Sequence, residues 1–152
     1  MLDLLSDGLR IAADVGRIAS APGTSEERAA LLLEPLHRLV PFQAACIFML
    51  DTEGRVQTPL VTYGYDDAMR GYMTSPEHVA EIELLGLDRH HRPMRLKDLP
   101  VPRERVRSWV EYLEPAGFKE GLAVGLFTSD ERYLGVLCLS TDDPDQPTVE
   151  AR

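Results

Sequence analysis

The chain has 152 residues, 44% of them hydrophobic and 27% charged, and its formal net charge is −9. This length and composition suit a single folded domain over residues 1–152 and exclude a largely disordered chain. The acidic balance argues against direct binding to nucleic acid, because phosphate contacts need clustered Lys and Arg. The N-terminus has no basic leader, and no apolar run nears the ~20 residues that cross a bilayer, so we expect a cytoplasmic protein that contacts no membrane.

The first two predicted elements are helices. Residues 2–20 carry Leu, Ala and Gly at spacings of three and four, which is typical of an amphipathic helix. This narrow stripe of small residues favours close packing, either on the domain's own sheet or on a second copy in a homodimer. Thr24 begins the next helix, with Glu27 at the spacing of a capping box. Pro41 ends that helix, and Pro35 inside it predicts a kink or a boundary.

Two predicted hairpins supply a sheet. Residues 42–50 are apolar almost throughout, which is typical of a central strand that is buried on both faces. Residues 55–65 form its partner, where Pro59 favours an edge position or a bulge. The second hairpin pairs residues 121–127 with residues 133–139.

Between the hairpins, residues 66–118 predict an irregular crossover. Asp66 caps a short helix, and Ser75 begins another with Pro at its first position. A short strand is expected within residues 92–96, and the apolar spacing over residues 106–113 predicts a further helix. The elements together indicate an α+β fold, in which one antiparallel sheet has helices on one face and the crossover on the other.

In this order of elements the chain resembles GAF domains. Four local runs are similar to the sensor half of actinobacterial regulators that end in a LuxR-type helix-turn-helix: LEPLHRLVPF (33–42), ELLGLD (83–88), PMRLKDLP (93–100) and PAGFKEG (115–121). The resemblance covers nearly the whole chain. It implies an antiparallel sheet of five or six strands with two N-terminal helices on one face, and a ligand pocket beneath the crossover on the other.

The resemblance also implies a non-catalytic small-molecule sensor and dimerisation domain of a transcription regulator, with a homodimer built on residues 2–20. Thr148 looks like the cap of a further helix, so a C-terminal helix and an output domain are expected beyond Arg152. The Asn-Lys…Phe-Asp-Glu signature of cyclic-nucleotide-binding GAF domains is absent. The crossover holds no cysteine beside its histidines, which argues against a covalent bilin, and no cofactor is expected.

The candidate ligand-binding residues are mostly rings that gather around the crossover. Rings with a polar handle suit an amphipathic pocket. The alternative is that they only seal the crossover onto the sheet. The candidates are Phe48, Tyr63, Tyr72, His90, Trp109 and Tyr112.

Two other clusters suggest chemistry. Asp88, His90 and His91 suit zinc or iron, but adjacent histidines rarely converge, so no metal site is predicted. Cys46 and Cys138 fall on strands that are neighbours in a GAF sheet. The alternative function is therefore a small thiol enzyme resembling the free methionine sulfoxide reductases of this fold. Burial within a strand disfavours a thiolate, so we expect both thiols to serve core packing.

Overall fold

A computed structural model describes residues 22–51, 56–128 and 130–145. The predicted helix over residues 2–20 and the predicted cap at Thr148 lie outside these ranges. In chain order the elements are helix α1 (Ser25–Leu39), strands β1 (Ala44–Leu50) and β2 (Gln57–Tyr63), helices α2 (Asp67–Met73) and α3 (Pro76–Leu85), and strands β3 (Met94–Arg95), β4 (Glu120–Phe127) and β5 (Tyr133–Thr141).

The five strands form one antiparallel sheet in the order β2-β1-β5-β4-β3. Strand β1 is central, and its first five residues are buried, as its apolar run predicts. Strand β2 lies at the edge, and its register with β1 shifts opposite Pro59. The edge position and the register shift expected of Pro59 are therefore both present. A residue without an N–H cannot donate a hydrogen bond to a neighbouring strand, so it is confined to edges and bulges.

Helix α1 begins as its sequence predicts and then runs further. The Thr24 side chain accepts a hydrogen bond from the Glu27 N–H at 3.1 Å. The helix continues through Pro35 to Leu39, so the boundary expected at the proline is wrong. Proline has no N–H, so the Leu31 carbonyl one turn earlier loses its partner within the helix.

The two faces of the sheet carry different layers. Strand residues alternate between the faces, and α1 covers one of them through Leu33 and Leu36, which pack against Ala45, Leu122 and Leu139. The other face meets the crossover. Its buried sheet residues are Ala44, Cys46, Phe48 and Val136.

Local capping positions the two helices of the crossover. Asp66 accepts a hydrogen bond from the Met69 N–H at 2.8 Å, and Ser75 accepts one from the His78 N–H at 3.3 Å. Gly86 ends α3 with φ at 79°, a left-handed conformation that favours glycine. These contacts fix where α2 and α3 begin and where α3 ends.

The last helical segment of the crossover differs from expectation. Residues Trp109–Leu113 form a π-helical turn, in which the Glu114 N–H bonds the Trp109 carbonyl at 2.8 Å. The apolar spacing indicated a regular helix, but a turn one residue wider forms instead. Wider turns of this kind are frequent at functional sites, and Trp109 is its first residue.

Candidate functional site

A cavity of about 90 Å³ lies between the sheet and the crossover. Helices α2 and α3, the π-helical turn and strands β4 and β5 all contribute to its wall. Most of the wall is apolar, including Met69, Met73, Leu85, Met94 and Leu113. Methionine side chains adapt readily to different shapes, so this wall can adjust to what it encloses.

Two ionisable residues interrupt the apolar wall. His78, Glu81, Ile82 and Leu85 follow the spacing i, i+3, i+4, i+7, so α3 presents all four on one buried face. Sequence reasoning missed His78 and Glu81 as site residues. The signal was present, because polar residues at the buried positions of a helix need partners or a purpose.

Glu81 joins α3 to the segment that carries Trp109. Its Oε1 accepts hydrogen bonds from the Ser108 N–H at 2.8 Å and from the Tyr72 hydroxyl at 3.4 Å. Its Oε2 lies 3.9 Å from His78 Nε2, which is too far for a hydrogen bond.

His78 is held neutral beside this carboxyl group. Gln57 Nε2 lies 2.9 Å from His78 Nδ1 and donates to the Met73 carbonyl at 2.9 Å. His78 Nδ1 also lies 3.3 Å from the Met73 carbonyl oxygen, so the Gln57 amide and this carbonyl contact the same ring nitrogen. Burial lowers the pKa of His78, although the nearby Glu81 and the Met73 carbonyl oppose that shift.

Trp109 supplies a donor without an acceptor. Its ring is 3% exposed and lines the cavity, and no acceptor in the described part of the chain reaches its Nε1–H. The Arg103 guanidinium lies over the ring, 5.4 Å from the centroid. A buried donor left unpaired costs about 1–3 kcal/mol.

The structure separates the six predicted ligand residues. Trp109 lines the cavity. Phe48, Tyr72 and Tyr112 lie behind the wall, where Tyr72 stacks on Tyr112 with ring centroids 4.8 Å apart and donates to Glu81. They support the polar wall residues without lining the cavity.

Two of the predicted residues lie elsewhere. Tyr63 stands opposite Ala45 on the face that α1 covers, where it is 55% exposed and packs edge-on against Phe42. His90 is exposed and lies beside Gly86. Tyr65, which is not among the six, lines the cavity and hydrogen-bonds Ser140 at 2.9 Å.

The two thiols lie side by side on neighbouring strands of the sheet. Cys46 and Cys138 are directly opposite in the β1–β5 ladder, which confirms their predicted neighbourhood. Burial and a hydrogen bond with Cys138 raise the pKa of the Cys46 thiol well above its ordinary value. Since the thiolate is the reactive form, this environment disfavours nucleophilic chemistry at Cys46.

The predicted cluster of Asp88, His90 and His91 includes a histidine that packs on an aromatic ring. The His91 ring stacks on Phe127 with centroids 4.0 Å apart. Among the residues the structure describes, no group of three His, Cys, Asp or Glu side chains is arranged to hold a metal ion. No described helix is long and apolar enough to span a bilayer.

Comparisons with known proteins agree with this fold. A family model described as GAF domain matches residues 24–151. A GAF domain of a phosphoenolpyruvate-protein phosphotransferase from Coxiella burnetii superposes with a TM-score of 0.64 at 17% identity, covering 99% of this chain and 84% of that one. The phycoerythrobilin-bound GAF domain of a cyanobacterial phytochrome gives 0.63 at 12% identity, covering 97% and 86%.

A regulator is also among the similar structures. An N-acylhomoserine-lactone-dependent LuxR-family transcription factor from Burkholderia cenocepacia has a TM-score of 0.58 at 16% identity, with 91% of this chain and 80% of that one covered. No curated protein sequence matches the chain. Identities this low establish a shared fold and leave the ligand to be argued from the site.

Proposed function

The chain belongs to the GAF-domain family, a family of sensor domains, and from that premise we propose that it binds a small molecule in the cavity beneath its crossover. In this proposal the domain is non-catalytic and regulates an attached output domain. The observation that carries the proposal is the cavity itself, whose mostly apolar wall includes the buried polar residues His78 and Glu81. Concave, mostly apolar sites with a few polar groups are typical of small-molecule binding, which favours a ligand site over a sealed core.

The output that we propose is transcription regulation. The local runs that resemble LuxR-type regulators and the similar fold of a LuxR-family factor support this choice. The net charge of −9 makes this domain itself unsuited to DNA, so a separate domain would contact it. A homodimer through residues 2–20 belongs to the same proposal, supported by the small-residue stripe in that segment.

Ligand binding would act on two crossover elements at once. Glu81 on α3 already bonds the Ser108 N–H, which directly precedes the π-helical turn. A ligand between Glu81 and Trp109 would fix the distance between these elements. A ligand shifts a conformational equilibrium when it binds one conformation more tightly than the other. A contact that depends on the distance between these two elements would provide that difference.

Filling the cavity tests the proposal. Ala123 lines the cavity from β4, so Ala123→Leu should occupy part of its volume. Val124, the next residue, pairs with Leu137 on the face that α1 covers, and Val124→Leu is the matched control. In a thermal-unfolding screen of small metabolites, we expect at least one compound to stabilise the parent and the control but not Ala123→Leu. A compound that stabilises all three proteins equally would place the ligand site outside this cavity.

A further inference from the structure

The two cysteines form a pair at the wall of the cavity. We propose that Cys138 is an oxidation site for a small peroxide that enters the cavity, and that Cys46 resolves the oxidised sulfur to give an intramolecular disulfide. The inference goes beyond the proposed function, because it needs the cavity and the two thiols but no particular ligand. The reaction consumes the thiols once per chain, so it requires no catalytic turnover.

The register of the sheet places the two thiols within reach of a disulfide. Cys46 on β1 and Cys138 on β5 are direct Cα partners in an antiparallel pair. Direct partners have Cα atoms about 4.5 or 5.5 Å apart, and disulfides span Cα separations of roughly 4.4–6.8 Å. Both side chains belong to the cluster on the crossover face, and the two thiols are hydrogen-bonded to each other. The disulfide can therefore form while the strand pairing is kept.

The two thiols differ in accessibility. Cys138 lines the cavity and retains some accessible surface, whereas Cys46 is fully buried beside it. Burial also raises the pKa of the Cys46 thiol, so Cys46 stays protonated and does not begin the reaction. Of the two thiols, a reagent in the cavity therefore meets Cys138 first.

The volume of the cavity limits the size of the oxidant. A cavity of ~150 Å³ holds a six-carbon ring, so about 90 Å³ accommodates roughly three or four non-hydrogen atoms. Hydrogen peroxide is smaller than this limit, whereas oxidised glutathione is far larger. Ala123 lies directly opposite Cys138 on β4 and also lines the cavity, so a larger residue there would take the space beside the thiol.

The proposed reaction balances in two steps. The Cys138 thiolate attacks one oxygen of hydrogen peroxide, the O–O bond breaks, and Cys138 becomes a sulfenic acid while the other oxygen is protonated and leaves as water. The Cys46 sulfur then attacks the Cys138 sulfur, the S–O bond breaks, and the Cys46 proton leaves with that oxygen as a second water. Both thiols are oxidised and the peroxide is reduced. Because Cys138 belongs to the cavity wall, this reaction would also change the surface that a ligand contacts.

Thiol counting on the purified chain tests the proposal, because Cys46 and Cys138 are its two cysteines. The folded protein is treated with hydrogen peroxide, then unfolded and alkylated. We expect both thiols to become resistant to alkylation and to return when dithiothreitol is added first, and peptide mapping should show Cys46 linked to Cys138. Recovery with dithiothreitol excludes sulfinic acid, which thiols do not reduce. Oxidised glutathione should leave both thiols of the folded protein reduced.

Matched variants separate the access route from the chemistry. Ala123→Leu should slow disulfide formation by about tenfold or more, because reaction rates of thiols depend on access. Val124→Leu, on the face that α1 covers, should keep the parental rate. Cys46→Ala should let Cys138 proceed to sulfinic acid, since no resolving thiol is present. Cys138→Ala should leave the buried Cys46 reduced.

The outcomes separate this inference from the proposed function. If both thiols stay reduced in the folded parent, or if peroxide gives only disulfides between two chains, the oxidation site is overturned. Equal rates with peroxide and oxidised glutathione, or in the parent and Ala123→Leu, would mean that the thiols react through unfolding, which also overturns it. In each case a compound that stabilises the parent and not Ala123→Leu would still support the proposed function. Far-UV circular dichroism checks that the variants fold, and the comparison of the two oxidants on the parent stands as a test if a variant does not.

Discussion

His78 is a histidine that burial keeps uncharged, and its surroundings explain how it can line an apolar cavity. Its Nδ1 lies 2.9 Å from the Gln57 amide, and Glu81 is the charged neighbour that opposes the shift of its pKa. Burial is the largest cause of the lowered pKa, because it penalises the charged ring. The neutral ring is therefore the form that fits the folded protein.

The shift of His78 predicts a pH dependence of stability. Its folded pKa lies below the ordinary value of 6.5, so the unfolded chain binds the proton more readily. The contribution of neutral His78 to the stability of the folded state is fully present above pH 6.5. It is lost as the pH falls below that value toward the folded pKa. We expect the free energy of unfolding to drop between about pH 7.5 and about pH 5.5, by urea denaturation, and to drop less in His78→Gln.

A matched variant controls for the other titrating groups. His90→Gln changes an exposed histidine and should keep the parental pH dependence. Equal pH slopes for the parent and His78→Gln would show that His78 titrates normally in the folded state.

Trp109 lies at the cavity, as the sequence predicted, whereas Tyr63 does not, and the difference has a structural reason. Tryptophan is highly buried on average, so the single tryptophan of the chain, which has apolar neighbours, is expected in the core. Tyr63 lies in a regular strand, where a shift of one residue moves a side chain to the opposite face. The register shift opposite Pro59 therefore left its face undetermined from sequence.

At the scale of the elements, close approach between strands restricts side chains. A Cβ at Gly135 on β5 would collide with the Phe48 carbonyl oxygen and lie 3.0 Å from the Met49 Cα on β1. Both neighbours are backbone atoms, which cannot turn aside as a flexible side chain could. Glycine at this position thus allows β1 and β5 to pair in the centre of the sheet.

This contact predicts opposite effects for two glycines. Gly135→Ala should destabilise the domain by about 1–3 kcal/mol, because overpacking forces the backbone to move. Gly71 in α2 is exposed, and an added Cβ there meets no atom within 4 Å. Gly71→Ala should therefore stabilise by up to ~1 kcal/mol, because alanine favours the helix. Urea denaturation measures both, and a Gly135→Ala protein as stable as the parent would contradict the packing described here.

Element boundaries were predictable where they depend on local chemistry. Thr24, Asp66 and Ser75 cap helices through hydrogen bonds that span three residues, so sequence alone identified them. The π-helical turn at Trp109–Leu113 was not predicted. It coincides with the bond from Ser108 to Glu81, a contact across 27 positions of sequence that no local pattern contains.

At the scale of the whole molecule, the α+β class and the antiparallel five-stranded sheet agree with the sequence-based prediction. They were predictable because two hairpins joined by a long crossover leave few arrangements of a single sheet. The cavity was harder to foresee in detail, since its polar wall joins side chains from α3 and the π-helical turn. Its general place beneath the irregular crossover followed from the interruption of that layer by prolines and glycine.

The emission of Trp109 tests most directly the claim that this cavity binds the ligand. Since Trp109 is the single tryptophan and lines the cavity, its fluorescence reports on the site without a label. For any compound that raises the unfolding temperature, we expect the emission to change with the same half-saturation concentration as the stabilisation. A compound that stabilises the domain strongly and leaves the Trp109 emission unchanged would contradict a ligand site in this cavity.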